Sequence, residues 1–154
     1  MDLTLPLDHA AIERILLHRY PFLLVDRITE LEIDKRIVGI KNVSRNDHYL
    51  SREANGASVF PPTLLTEAIA QVGAILILAK PENRQRLPLL AGIKRFRFRR
   101  PVGPGDVIEM EAHVIRLGSR MGVLEGVARV DGKVVADGTM TCALGPALSQ
   151  TGAV

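Results

Sequence analysis

Cysteine is almost absent from the chain, and this limits the classes of protein to which it can belong. The only cysteine among 154 residues is Cys142, so no intramolecular disulfide can form and a cysteine-rich metal site is excluded. Apolar residues make up 47% of the sequence, yet no uninterrupted apolar stretch reaches the ~18 residues of a membrane span. The opening MDLTLPLDHAAIERILL carries acidic residues where a signal peptide needs positive charge. We therefore expect a cytoplasmic protein with no membrane-spanning segment.

A large surplus of one charge is also absent. The chain has 20 basic and 17 acidic side chains, a net charge of +3, which is far from the dense basic surplus of a dedicated nucleic-acid binder. One short segment nevertheless alternates basic with aromatic residues, which is typical of a strand with one wet face and one buried face. We therefore expect neither nucleic acid nor a membrane as a partner. The basic residues of this segment are Lys94, Arg95, Arg97, Arg99 and Arg100, and its aromatic residues, predicted to be buried, are Phe96 and Phe98.

The longest helical pattern runs from Pro62 to about Ala79. Apolar residues cover more than half of its circumference, so most of this helix must be buried. It carries one carboxylate, Glu67, and a carboxylate on a buried helix is costly unless it is paired or has a chemical role. No histidine lies within four residues of the helix start to pair with this acid.

Shorter patterns lie on both sides of this central helix. A short helix over residues 10–17, capped by Asp8, precedes two β-like runs, FLLVDRITELEI and RIVGIKNVS. Four longer strand-like runs follow the central helix, and Asp131 with Gly132 predicts a hairpin between the last two. These runs are LLAGIKRFRFRR, DVIEMEAHVIRL, MGVLEGVARV and KVVADGTMTCAL.

This order of elements predicts an α+β hot-dog fold, a curved antiparallel sheet wrapped around one long central helix. We expect a single domain over residues 1–145 and a flexible C-terminal tail over residues 146–154. A single sheet around one helix leaves its edges open, so we expect two copies to pair as a homodimer.

Five segments together resemble the β-hydroxyacyl-acyl-carrier-protein dehydratases of fatty acid synthesis. They are HRYPFLLVDRITELE, KRIVGIKNVS, LLTEAIAQ, AGIKRFRFRRPVGPGD and VVADGTMTCA. The resemblance covers roughly residues 12–144. It implies a substrate that is carried as a thioester on phosphopantetheine, acyl carrier protein as a partner, and no metal or other cofactor. It also makes the basic segment a candidate surface for an acidic carrier protein or its phosphate, with an ordinary solvated strand face as the simpler alternative.

The resemblance assigns candidate site residues around the start of the central helix. Members of this family carry a loop like GHFPGxPVMPG, whose histidine works with a glutamate on the helix of the opposite protomer. The matching stretch here is REANGASVFPP, and it places Glu67 on the family's glutamate and Glu53 on its histidine. Glu67 and Glu53 are therefore the catalytic candidates. The substrate-binding candidates are Gly56, Pro61, Pro62 and Gln71.

This chain departs from the family pattern at two of these positions. Elimination of water needs a base, an acid and a donor for the developing enolate. Glu53 replaces the histidine, and a glutamate, whose pKa is ordinarily ~4.3, is ionised at neutral pH unless burial raises that pKa. Two facing carboxylates could share one proton and so supply both an acid and a base. Pro62 replaces a glycine whose N–H is implied to support the thioester carbonyl, and proline has no N–H.

Other readings of the same residues stay open. Glu67 can be a retained acid inside a dimer core, and Glu53 a solvated loop charge beside Arg52. His48, five residues before Glu53, supplies the missing histidine only if the loop is shifted in register. The sequence predicts His18 and His113 to be structural or exposed, with His9 in a flexible start.

Three functions compete with a dehydratase that is weak or inactive alone. The chain can pair with a histidine-bearing relative as a heterodimer, or act as a hot-dog thioesterase through Glu67. It can also be a non-catalytic module that binds acyl groups or carrier protein.

Overall fold

Two helices and eight strands make up residues 3–147, the part of the chain that the computed structural model describes. The helices are α1 (His9–Ile15) and α2 (Pro62–Leu78), and a short 3-10 turn follows at Pro81–Asn83. The strands are β1 (Arg27–Glu32), β2 (Arg36–Asn42), β3 (Ser51–Arg52), β4 (Ser58–Val59), β5 (Arg86–Phe98), β6 (Val107–Leu117), β7 (Met121–Val130) and β8 (Lys133–Ala147).

Six of these strands form one antiparallel sheet in the order β1-β2-β6-β7-β8-β5, and β3 pairs with β4 as a separate ribbon. Helix α2 packs against this sheet, and every residue from Leu65 to Leu78 is buried except Glu67. Its apolar side chains form the core together with those of the sheet. The predicted α+β hot-dog fold is therefore confirmed. Glu67 is the only residue between Leu65 and Leu78 that is not buried.

Local sequence signals account for several element boundaries. The side chain of Asp8 accepts a hydrogen bond from the backbone N–H of Ala11 at 2.8 Å, which caps α1 as predicted, although α1 ends at Ile15. Asp131 and Gly132 both have positive φ, at 50° and 73°, as a tight hairpin turn requires. Strand β8 continues through Ala147, two residues beyond the predicted domain end, and residues 148–154 of the predicted tail lie outside the described part of the chain.

The two edges of the sheet differ in character. Strand β1 presents Glu30 and Glu32, both paired with Arg36 on β2, and charged edges resist pairing with another chain. Strand β5 instead exposes large apolar side chains to solvent. These are Leu89, Leu90, Ile93 and Phe98, which are between 37% and 55% exposed. The β5 edge of the single chain therefore carries an exposed apolar patch.

Strand β5 is also irregular, and this corrects one prediction. Its register against β8 shifts between Lys94 and Arg97, where Arg95 adopts a φ of 55°. The bulge leaves Phe96 partly buried against the core, whereas Phe98 is 44% exposed. The predicted burial of both phenylalanines is therefore wrong for Phe98, because a bulge interrupts the alternation of faces along a strand.

Within residues 3–147, neither helix has the length and apolar character that crossing a membrane requires.

A glycine opposite the bulge lets Phe96 lie across β8. A Cβ added to Gly138 would lie 2.3 Å from the ring of Phe96 and 2.7 Å from its Cα, so backbone would have to move. We expect Gly138→Ala to lower the free energy of unfolding by about 1–3 kcal/mol, the usual cost of overpacking. Gly92→Ala is the matched control, because its added Cβ meets Thr141 at an ordinary 3.7 Å. Chemical denaturation at one protein concentration measures both variants, and equal midpoints would contradict the assigned clash.

Candidate active site

The carboxylate of Glu67 lies at the surface of α2 with two polar side chains beside it. Gln71, one turn later, donates a hydrogen bond from Nε2 to Glu67 Oε1 at 3.1 Å. His18 Nε2 lies 3.6 Å from the same oxygen. The Glu67 side chain is 23% exposed and that of His18 is 28% exposed. An acid, an imidazole and an amide therefore meet at one point within a single protomer.

Gln71 is almost fully buried and fixes this arrangement. Its Oε1 accepts a hydrogen bond from the backbone N–H of Leu24 at 2.9 Å, and its Nε2 donates to the carbonyl of Phe22 at 2.8 Å. With the bond to Glu67, both amide hydrogens are in use. Gln71 therefore ties α2 to the segment after α1 and positions Glu67, while its predicted substrate-binding role stays a prediction.

Glu67 opens into a cavity of about 200 Å³ between α2 and the first part of β5. His18, Gln71 and Cys142 share this cavity, and its remaining walls are apolar side chains of α2 and β5. We call it the glutamate cavity. Burial, with a smaller contribution from the charge of Glu67, raises the pKa of the Cys142 thiol to about 11. That thiol therefore stays protonated at neutral pH and is a poor nucleophile.

Glu53 lies in a different cavity of the same protomer. The β3–β4 hairpin, which the sequence presents as a loop, turns through Gly56 with a φ of 84°. Glu53 and Pro62 line a cavity of about 270 Å³ together with apolar residues, among them Phe60, and with Arg99 and Arg100. We call it the hairpin cavity. A single chain therefore does not bring its two catalytic candidates into one cavity, since Glu67 lies five residues, or roughly 7.5 Å, along the helix from Pro62.

Two prolines form the start of α2. Pro61 is the N-cap residue, and its carbonyl accepts the backbone N–H of Leu65 at 3.0 Å. Pro62 is the first helical residue, and no side chain caps this helix start. Because neither proline has an N–H, the first donor at the helix start belongs to Thr63, one residue later than the family pattern implies.

The basic segment of β5 is partly committed to internal ion pairs. Arg97 Nε lies 2.8 Å from Asp137 Oδ1, and Arg99 pairs with the other oxygen of the same carboxylate. These bonds, with Arg99 contributing most, hold the pKa of Asp137 below its usual value. Arg100 lies 3.6 Å from Asp106, while Lys94 and Arg95 are exposed. All five residues of the predicted carrier-binding set are therefore exposed, and three of them also make ion pairs within the chain.

The remaining histidines lie away from Glu67. His48 packs edge-on against Tyr49, with ring centroids 5.1 Å apart, and lines a separate cavity near Lys41 and Asp47. His113 Nε2 is 2.9 Å from Glu111 Oε1, and His9 pairs loosely with Glu13. No cluster of three or more His, Cys, Asp or Glu side chains within residues 3–147 is arranged to hold a metal ion.

His18 is the site residue that the sequence analysis missed. It was predicted to be structural or exposed, because 49 residues separate it from Glu67 in the chain and no local pattern links the two. Its membership in the HRYPFLLVDR segment was the only available signal.

Solved structures with the same fold include dehydratases and thioesterases. The dehydratase heterocomplex ApeI:P from Xenorhabdus doucetiae aligns with a TM-score of 0.75 at 19% identity, over 91% of this chain and 92% of that one. A hypothetical thioesterase with coenzyme A from Streptococcus pneumoniae aligns with a TM-score of 0.60 at 14% identity, over 79% of this chain and 87% of that one. At these identities the likeness concerns the fold alone.

Sequence comparison is more specific. Residues 16–139 match the FabA-like domain. The chain is 48% identical over 139 residues to the 3-hydroxyacyl-[acyl-carrier-protein] dehydratases FabZ of Bacillus velezensis and Bacillus subtilis, which covers 90% of this chain and 99% of each relative. A match of this extent shows the family: the chain belongs to the FabA-like 3-hydroxyacyl-acyl-carrier-protein dehydratases.

Proposed function

We propose that this chain is a dehydratase subunit that acts on 3-hydroxyacyl thioesters of acyl carrier protein in fatty-acid-type biosynthesis. The observation that carries the proposal is the position of Glu67. It is the only residue between Leu65 and Leu78 of α2 that is not buried, and its carboxyl accepts a hydrogen bond from Gln71 in a largely apolar cavity. The FabZ relatives are named for this reaction and this carrier. The acyl group arrives on phosphopantetheine, and we expect the chain to need no metal or other cofactor. Localisation to the cytoplasm stays a prediction.

The exposed edge of β5 supports a two-fold dimer that joins the two cavities. The glutamate cavity is lined by β5 residues 88–90, and the hairpin cavity by residues 98–100. Lys94 is the midpoint of these two stretches. If β5 pairs with its own copy in antiparallel fashion about this midpoint, residues 88–90 of one chain lie beside residues 98–100 of the other. The glutamate cavity of one protomer then adjoins the partner's hairpin cavity, and the apolar edge is covered.

Such a composite site lacks two groups that the family's mechanism uses. The hairpin cavity supplies Glu53 in place of a histidine, and it supplies Pro62 in place of a backbone N–H donor. General acid–base catalysis is worth roughly 10²–10⁴-fold in rate, and a preorganised donor roughly 10²–10³-fold. We therefore propose a slow homodimeric dehydratase.

A heterodimer is the second candidate assembly. Strand β5 offers the same exposed apolar edge to a histidine-bearing relative as to a second copy of this chain. The relative's histidine would then face Glu67, which completes one of the two sites. Thioester hydrolysis and binding without turnover are the two other alternative functions, and the dehydration assay with 3-hydroxyacyl carrier protein tests them as well.

The exposed residues of the basic segment form the proposed carrier-protein surface. Arg95 lines a groove of about 540 Å³ with Arg97 and Arg129, and Arg100 lines the hairpin cavity. Cations beside a cavity mouth favour the approach of an acidic carrier and of its phosphate.

The proposed dimer predicts that a charge at the centre of the β5 edge separates the protomers. We expect Ile93→Asp, at a residue that is 55% exposed in the single chain, to leave a species with the mass of one chain at micromolar concentration. Ile115→Asp is the matched control, because Ile115 is 59% exposed but lies on the interior strand β6. Light scattering after gel filtration measures both masses. A dimeric Ile93→Asp protein would contradict pairing through β5.

The dehydratase proposal predicts how two substitutions change turnover. Purified protein is incubated with 3-hydroxyacyl carrier protein, and mass spectrometry follows the loss of water. We expect slow water loss by the unaltered protein, a decrease of at least ~100-fold in Glu67→Gln, and an increase in Glu53→His, which restores an imidazole at the family position. Release of a free acid would instead identify a thioesterase. Unchanged water loss in Glu67→Gln would contradict the proposed role of this acid.

The carrier surface predicts a salt-dependent loss of affinity. We expect the double variant Arg95→Glu with Arg100→Glu to bind carrier protein at least ~10-fold more weakly at low ionic strength, and the deficit to shrink as salt screens the charges. Arg116→Glu with Lys133→Glu, exposed on other strands, is the control for net charge. Calorimetric titration measures all three affinities. If both double variants lost the same amount of affinity for carrier protein, the basic segment would be an ordinary solvated strand face with no specific role in binding.

A further inference from the structure

We propose that His18 is the catalytic base of this chain and that it works with Glu67 of the same protomer. The inference rests on the proposed dehydratase function and names the imidazole that the hairpin does not supply. His18 and Glu67 line one cavity, and His18 Nε2 lies 3.6 Å from Glu67 Oε1. This separation exceeds the ~2.6–3.2 Å of a working hydrogen bond, but such contacts are commonly long before substrate binds.

The backbone around His18 is fixed on both sides, as a catalytic group requires. The guanidinium of Arg19 donates to the carbonyls of Leu16 and His18, at 2.7 and 2.8 Å, and to that of Glu13 at 3.0 Å. The backbone N–H groups of Phe22 and Leu23 donate to the carbonyl of Arg19, which closes the turn. Gln71 then holds this segment to α2, so the element that bears His18 and the element that bears Glu67 are hydrogen-bonded to one another.

The second nitrogen of His18 argues against a purely structural role. Nδ1 is buried and has no hydrogen-bond partner within residues 3–147. An unpaired buried polar atom costs about 1–3 kcal/mol, so a histidine kept for packing alone would be poorly placed here. No acceptor in the described part of the chain is hydrogen-bonded to Nδ1, so an imidazolium has no second acceptor. Nε2, which faces Glu67, is therefore the nitrogen of His18 that is placed to exchange a proton.

The elimination then balances with one proton shared by the pair. Neutral His18 Nε2 takes the proton from the α-carbon, and that electron pair forms the Cα=Cβ double bond as the β C–O bond breaks. The leaving oxygen takes the proton of the Glu67 carboxyl and departs as water. His18 is left as an imidazolium beside a carboxylate, and transfer of the proton from Nε2 to Oε1 restores the starting state. Neither water nor any further reactant is consumed.

The test compares four proteins in the carrier-protein dehydration assay, each with kcat and KM measured separately: unaltered, His18→Gln, Glu53→Gln and Glu53→His. The glutamine of His18→Gln still has an N–H that can donate a hydrogen bond, but its amide, unlike an imidazole, cannot act as a base. We expect it to lower kcat at least ~100-fold with KM little changed, and to lower kcat by much more than Glu53→Gln does. Thermal unfolding checks that His18→Gln is folded, and His18→Asn replaces it if it is not.

Each other outcome has a defined meaning. Loss of activity in Glu53→Gln with full activity in His18→Gln would overturn the inference, because the base would then be Glu53. An inactive unaltered protein beside an active Glu53→His protein would also overturn it, while leaving the dehydratase scaffold intact. If none of the four proteins catalysed the loss of water, the proposed function would be overturned, and the role of His18 with it.

Discussion

One buried amide holds the candidate site together. Gln71 makes three hydrogen bonds from a position that is 1% exposed: two to the backbone at Phe22 and Leu24, and one to Glu67. Each such bond is worth only about 0.5–1.5 kcal/mol net, but leaving its partners unpaired in the core would cost more. The amide thereby forces the segment after α1 to run along α2 at a fixed distance. The proximity of His18 to Glu67 depends on this constraint.

The rest of α2 explains why Glu67 must stay where it is. All other residues between Leu65 and Leu78 are buried against the sheet, so the helix cannot rotate to give its acid to solvent without exposing core. A carboxyl group in this position needs hydrogen-bond partners nearby or access to solvent through the cavity. Gln71 donates to Glu67 in the single protomer, and His18 Nε2 lies 3.6 Å from the same oxygen.

Much of the fold was predictable because it depends on patterns within single elements. Helix α2, the alternation along β6 and the turn at Asp131 and Gly132 each follow from local periodicity or turn chemistry. The bulge in β5 was not predictable, because it is set by Phe96 lying across Gly138, 42 positions away in the chain. The pairing of His18 with Glu67 was missed for the same reason. His18 and Glu67 come together only in the folded chain.

The hairpin and the helix contribute to the site under different physical constraints. The β3–β4 hairpin is a two-stranded ribbon outside the main sheet, and most of its residues are exposed. Replacing its polar residues therefore costs little folding free energy, and a glutamate at position 53 is tolerated. Glu67 and Gln71 lie on a buried helix, and changing either leaves polar groups unpaired in or beside the core. The chemistry of the hairpin can thus change without loss of the fold, whereas the acid and amide of α2 are tied to the stability of the molecule.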